Sequence, residues 1–380
     1  MSRSFSIAWR GLLYHRVRTV AVTFGVGFSV LFIFLELGFL GAVERSATAV
    51  SDRLAGELLL VSQRFVHLDR SDAIPRSRLA FAASDPEVES VVPIYVNLAW
   101  WRRPGGDVRA AVITLGLRLD DPPPMWLPEL DSEMKAALRS PSAFMIGRIG
   151  QPKLGPTEVG TEVELSDRPS RIAGQLDLGV GVLADGVIVI SDLGYARLFP
   201  ETSLSEVSAG VIRLAPGADP ERVAARLRTR LPGDTRVLTR SELRAGQIRT
   251  WVIDTSSGNI FGAGAVVAFL VGLVVLYQAL STDIIQQKAH YATLKAIGYE
   301  DRQLGRVVLE QSVLYAFFGA VPAFLMALAL YALIRVATRL PVDMTIARAI
   351  FVGLFTLAMA VGSGRLALSK ITRADPADLF

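Results

Sequence analysis

Cysteine is absent from the whole of the 380-residue chain. A disulfide framework and a thiolate metal site are both excluded. Histidine occurs only at His15, His67 and His290, far apart in sequence, and no H-E-x-x-H pair is formed. No G-x-x-x-x-G-K-[ST] occurs, so no nucleotide can be cradled in a Walker loop. The G-x-S-x-G turn of a nucleophilic serine is missing as well. Charged residues make up 20% of the chain and the net charge is only +4, which offers a nucleic-acid backbone little. Adjacent acids such as Asp120 and Asp121 read as loop solvation rather than as an acid/base dyad. These absences describe a chain with no catalytic centre and no metal of its own.

What the chain has is apolar residues, and they are clustered. They make up 51% of the sequence, and the mean hydropathy is +0.40. Between Arg18 and Glu44 there is one acid, Glu36, and no base. The stretches 259–281, 307–334 and 346–367 are similarly apolar, with isolated charges mainly near their ends. Each is near or above the roughly 20 residues that cross about 30 Å of hydrocarbon as a helix. The chain therefore reads as an α-helical membrane protein with four transmembrane helices (20–43, 259–281, 307–334 and 346–367) and a large α+β domain, 44–258, inserted between the first and the second. The first run follows arginines and precedes Ala47-Thr48-Ala49, as a secretory signal would. Its apolar length exceeds the roughly 7 to 15 residues of a signal core, which favours an uncleaved membrane helix.

Arginine counting orients the chain. Residues 1–19 carry Arg3, Arg10, Arg16 and Arg18 with no acid. The segment 282–306 carries Lys288, Lys295, Arg302 and Arg306, and the tail 368–380 adds Lys370 and Arg373. By the positive-inside rule these three regions lie in the cytoplasm. The short loop 335–345 opposes this mildly, being flanked by Arg335, Arg339 and Arg348. The inserted domain then lies outside, with 26 Lys/Arg against 28 Asp/Glu. In the N-terminal segment Phe5, Ala8, Trp9, Leu12 and Leu13 recur at helical spacing. This predicts an amphipathic helix in the interface of the bilayer, anchored by Trp9, Arg10, Arg16 and Arg18.

Within the inserted domain, 91–101 and 108–117 flank Pro104-Gly105-Gly106 and predict a hairpin. Strands are expected at 161–165 and 187–191, with strand, helix and strand over 211–214, 222–231 and 235–238. Asp219 and Pro220 open that helix, and Pro232-Gly233 closes it. The section from about 118 to 206 reads as an insertion that forms a second subdomain. The stretches 43–57 and 241–251 are helix-compatible and could carry the membrane helices outward as a stalk. Glu36, in the outer half of the first run, reads as a carboxylate bonded to a neighbouring helix or to water.

The most distinctive stretch lies between the second and third runs: Lys288, His290, Tyr291, Ala292, Thr293, Leu294, Lys295, Ala296, Ile297, Gly298 and Tyr299. Ala292, Lys295 and Ala296 stand at turn spacing and Gly298 ends the helix. The run from Tyr291 to Tyr299 resembles the coupling segment of FtsX/MacB-type ABC transporter permeases, especially the DevC-like branch. Ala8 to Leu13 followed by Arg16 to Thr19 resembles the family's N-terminal elbow, and Asp375 to Phe380 its usual ending. His290 departs from the pattern, standing where a carboxylate commonly precedes the matching Tyr.

The resemblance implies a homodimer in the bacterial inner membrane with both termini cytoplasmic and a porter-like periplasmic domain. It implies a separate cytoplasmic ABC ATPase, which holds the ATP and magnesium and presses on residues 288–299. It further implies a periplasmic membrane-fusion adaptor and a TolC-like outer-membrane channel, exporting lipidic or amphiphilic cargo. Within the same family the alternative is an FtsX-like mechanotransmitter that controls a periplasmic enzyme without transport. A membrane-anchored ligand sensor is a third reading.

Overall fold

The computed structural model describes residues 16–68, 72–104, 106–179, 181–286 and 301–372. It divides into two compact units. The first holds the chain up to Gly41 with Asn259–Ile334 and Val342 onward; the second holds Ala42–Gly258 with Arg335–Pro341.

The first unit is helical. Helix α1 runs Arg16–Thr48. Among the described residues four helices are long and apolar enough to cross a membrane: Val17–Thr48, Gly258–Gln286, Gln303–Thr338 and Ile346–Leu368. On α1, Val22, Val26, Val30 and Ile33 are at most 8% exposed and form one stripe into the bundle, while Phe24, Phe28 and Phe32 stand exposed on another face. Glycine permits the closest helix approach. A Cβ on Gly27 would lie 3.0 Å from the carbonyl oxygen of Gly319, and one on Gly319 would meet the Gly27 nitrogen at 2.9 Å.

The inserted domain is built on β1 (Leu58–Ser62), β2 (Ile74–Pro75), α2 (Ser77–Ala83), β3 (Val88–Arg102), β4 (Arg109–Leu117), α3 (Ser132–Leu138), β5 (Ala143–Gly147), β6 (Glu162–Leu165), β7 (Arg168–Leu176), β8 (Gly186–Ser191), α4 (Asp192–Leu198), β9 (Glu206–Val207), β10 (Ala209–Leu214), α5 (Pro220–Arg230), β11 (Thr235–Thr239) and α6 (Arg240–Ile248). Nine of the strands form one mixed sheet in the order β11-β1-β10-β3-β4-β8-β5-β7-β6. A further pairing of β3 with β6, through Trp101–Leu165 and Arg102–Glu164, closes six of them into a ring. Strand β3 has 15 residues because it serves both parts: its first half pairs with β10 and its second with β4.

Both faces of this sheet are covered. Leu58 and Leu60 enter one apolar cluster with Tyr95, Trp101 and Phe144, whereas Leu59 and Val61 enter another with Ile94, Val96 and Leu115. Burial on both sides explains why β1 and β8 are continuous apolar runs rather than alternating ones. The section 118–206 supplies β5 to β8 as a contiguous block of the same sheet.

The expected hairpin is present as β3 and β4, in register from Ile94–Leu117 to Arg102–Arg109. The expected strand, helix and strand are β10, α5 and β11. Asp219 caps α5, accepting from the Glu221 and Arg222 nitrogens at 3.1 and 3.4 Å, with Pro220 in the first turn. After α6 the chain passes through a π-turn, Arg249–Asp254, and an extended Thr255. Helix α7, Ser256–Gln286, follows. Helix α8 runs Asp301–Thr338, and α9 runs Ile346–Thr372.

Candidate coupling region

Helix α7 does not stop at 281 but continues at least to Gln286, so Ser281 to Gln286 are helical. The carboxylate of Asp283 should oppose that extension, since a charge near hydrocarbon is costly. It is answered from the other two helices. Arg18 on α1 places Nη1 2.5 Å from Asp283 Oδ1. Gln311 on α8 donates from Nε2 to Asp283 Oδ2 at 2.9 Å. The side chains of Asp283 and Arg18 are 4% and 21% exposed. This is a largely buried ion pair, with a donor on each carboxylate oxygen.

The guanidinium reaches further along α7. It donates to Gln286 Oε1 at 3.0 Å and to the carbonyl oxygen of Ala279. Ala279, Asp283 and Gln286 stand at i, i+4 and i+7, which is one stripe of the helix. Arg18 thus grips two turns of α7 at once. Tyr315 on α8, 1% exposed, is buried in the same bundle. Three helices meet in this cluster: the start of α1, the end of α7 and the early part of α8. The segment 287–300 joins the last two.

The coupling residues themselves, Lys288, His290, Tyr291, Ala292, Thr293, Leu294, Lys295, Ala296, Ile297, Gly298 and Tyr299, lie outside the described residues. So do Trp9 and Arg10. Arg16 is placed as the first residue of α1, without an account of its side chain. Arg18, expected at the bilayer interface, is placed against α7. No local sequence pattern joins Arg18 to the residues after 281. The available signal was the stripe Ala279, Asp283 and Gln286, with Asp283 an acid in an otherwise apolar frame.

Other polar contacts of the bundle are local. Ser312 on α8 donates to the carbonyl oxygen of Ala360 on α9 at 2.6 Å. Tyr331 on α8 donates to the carbonyl oxygen of Phe34 on α1. Glu36 packs against Gly264 of α7, where a Cβ would lie 2.5 Å from its carboxylate. A cavity of about 650 Å³ opens between α1 and α8, lined by Phe24, Phe28, Phe318, Pro322 and Met326 among others. Its lining is apolar apart from Thr19 and Thr23. Among the described residues no group of three His, Cys, Asp or Glu side chains is placed to hold a metal ion.

Four apolar spans and a large α/β domain after the first of them define a multi-pass membrane protein. Residues 262–376 match the family model of the FtsX-like permease C-terminal domain. A stretch of 198 residues, 52% of the chain, is 23% identical to an ABC transporter permease protein of Mycobacterium tuberculosis, of which it covers 23%. The chain thus spans about a quarter of that relative's length. Among solved structures, the periplasmic region of MacB from Actinobacillus actinomycetemcomitans is similar over 51% of this chain and 92% of that one, at 9% identity and a TM-score of 0.36. The extracellular domain of the transporter YknZ from Gram-positive bacteria is similar over 48% and 99%, at 13% identity and a TM-score of 0.34. Residues 262–376, which include the last three apolar helices, are thus similar to the FtsX-like permease C-terminal domain, and about half of the chain is similar to an ABC transporter permease protein.

Proposed function

We propose that the chain is the membrane subunit of a DevC-like ABC exporter. The observation that carries this reading is the family match over residues 262–376, which spans α7, the segment 287–300, α8 and α9. In this reading a separate cytoplasmic ATPase binds and hydrolyses ATP, and the chain itself is not an enzyme. Two copies of the chain sit in the inner membrane with their termini in the cytoplasm. The segment 288–299 receives the ATPase, and the membrane helices relay its movement to the domain of residues 42–258. That domain works with a periplasmic membrane-fusion adaptor and a TolC-like outer-membrane channel, and lipidic or amphiphilic cargo leaves through the assembly.

The test is association with the ATPase. Ala292→Glu and Lys295→Glu place a carboxylate on the face at turn spacing. Co-purification of the ATPase with the full chain is expected to fall about ten-fold, or about 1.4 kcal/mol of interface energy, and permease-dependent ATP turnover should fall with it. Unchanged association and turnover in both variants would show that this segment does not carry the contact.

A further inference from the structure

We propose that Arg18 and Asp283 are a positioning pair, a charged clasp that ties the start of α1 to the stem of the segment 287–300. The proposal rests on the permease reading for what the clasp is used for, but the clasp itself rests on the geometry.

Its bonds are directional and several. One guanidinium contacts Ala279, Asp283 and Gln286, and the carboxylate it pairs with is also held by Gln311. Apolar contacts around it, among them Val22, Leu280, Ile284, Leu304 and Val308, bury area without fixing the sliding of one helix along another. The ion pair and its hydrogen bonds do fix it, because each has a narrow range of distance and angle. Axial register between α1 and α7 is therefore set here, close in sequence to the segment 287–300.

Stability alone does not call for charges at this place. Replacing both members of a buried pair by well-packed apolar side chains is often neutral or stabilising, whereas removing one member leaves an uncompensated charge. What the pair adds over apolar packing is a fixed link between two helices. A displacement of the segment 287–300 then moves the end of α7 and the start of α1 together, and Gln311 draws in α8. Helix α1 is the element that runs on without interruption to Thr48. Arg18 and Asp283 thus decide whether a movement at the inner ends of the helices is passed into α1 or lost as slippage.

The experiment uses the full-length chain in membranes and three variants. Arg18→Met breaks the pair. Arg18→Met with Asp283→Leu removes both charges while keeping bulk. Arg18→Asp with Asp283→Arg reverses them. Hydrogen exchange of residues 279–286, read without any ATPase, is expected to rise about ten-fold in the doubly apolar variant, with its thermal midpoint close to that of the parent. The reversed variant is expected to regain most of the protection. Parental exchange rates in the doubly apolar variant would overturn the clasp.

A second reading uses Trp126→Cys, an exposed position of the inserted domain, as the single thiol of the chain. With the ATPase bound, the ATP-dependent change in labelling at this cysteine is expected to fall about ten-fold in the doubly apolar variant while ATPase association is retained, and to recover on reversal. A full response in the doubly apolar variant would overturn the positioning role. If the parent chain binds no ATPase, the permease reading fails, and the exchange measurement still decides the clasp.

Discussion

Asp85 shows how single charges hold the inserted domain. Its side chain is 1% exposed, and its two oxygens accept from Arg226 Nε and Nη2, each at 2.7 Å. Glu87 accepts from the same guanidinium at 2.6 Å, and Arg230 stands 3.5 Å from Asp85. The group pins the loop after α2 to α5. The Arg226 hydrogen bonds hold the Asp85 carboxyl below its ordinary value of 3.8, against the opposing pull of burial. A carboxyl depressed in the folded state contributes stability at pH above its unfolded value. That contribution is lost as pH falls through the folded value. The melting temperature of the full chain is therefore expected to drop as pH is lowered below about 4. Asp85→Asn is expected to cost on the order of 2 kcal/mol at neutral pH, as loss of hydrogen bonds to a charged group does, and to flatten that acid limb. Thermal scans from pH 7 to 3 check both.

At the scale of elements, the β6–β7 connection has a strained turn. Ser166 and Asp167 alone join the two strands, and both have positive φ, 47° and 62°. Two such residues make a type I′ hairpin, which favours Asn-Gly. The left-handed region costs a residue with a Cβ about 1 kcal/mol or more. Asp167 recovers part of this by an exposed contact with Arg102 at 3.4 Å. Ser166→Asn with Asp167→Gly is expected to stabilise the domain by about 0.5–1 kcal/mol, seen as a higher midpoint in denaturant. This hairpin was not legible in the sequence, since Ser-Asp is a weak turn signal. Strand β1 was hidden for another reason. Five residues buried on both faces carry no period of two, and Leu58–Ser62 follows closely on a membrane helix of similar composition. The β3–β4 hairpin and the capped α5 were legible because Pro-Gly-Gly and Asp-Pro act locally, through the backbone of the same few residues.

For the whole molecule, the order of one span, a large domain and three spans is a statement about which side each segment occupies. Absence of cysteine makes that order directly measurable. Single cysteines replacing Gly105 and Lys288 are expected to be labelled by a membrane-impermeant reagent from opposite sides of intact cells, the first from outside and the second only after permeabilisation. The reverse pattern would invert the orientation drawn from the arginines. The section 118–206 illustrates long-range pairing at this scale. Its strands join the same sheet as β3 and β4, and the pairing of β6 with β3 that closes the ring links residues more than 60 apart.

The sequence by itself determined that this is a membrane protein with a large domain placed after the first of its apolar runs. Hydrocarbon thickness and the cost of charge act on consecutive residues, so twenty apolar positions in a row suffice to declare a span. Motif likeness alone singled out 288–299. The partner of Arg18 was decided only by the tertiary structure. An arginine beside a membrane helix reads as an anchor to the headgroups, and 265 residues separate it from Asp283. The bundle brings the two together, and burial then turns a pair of ordinary charges into a link between helices.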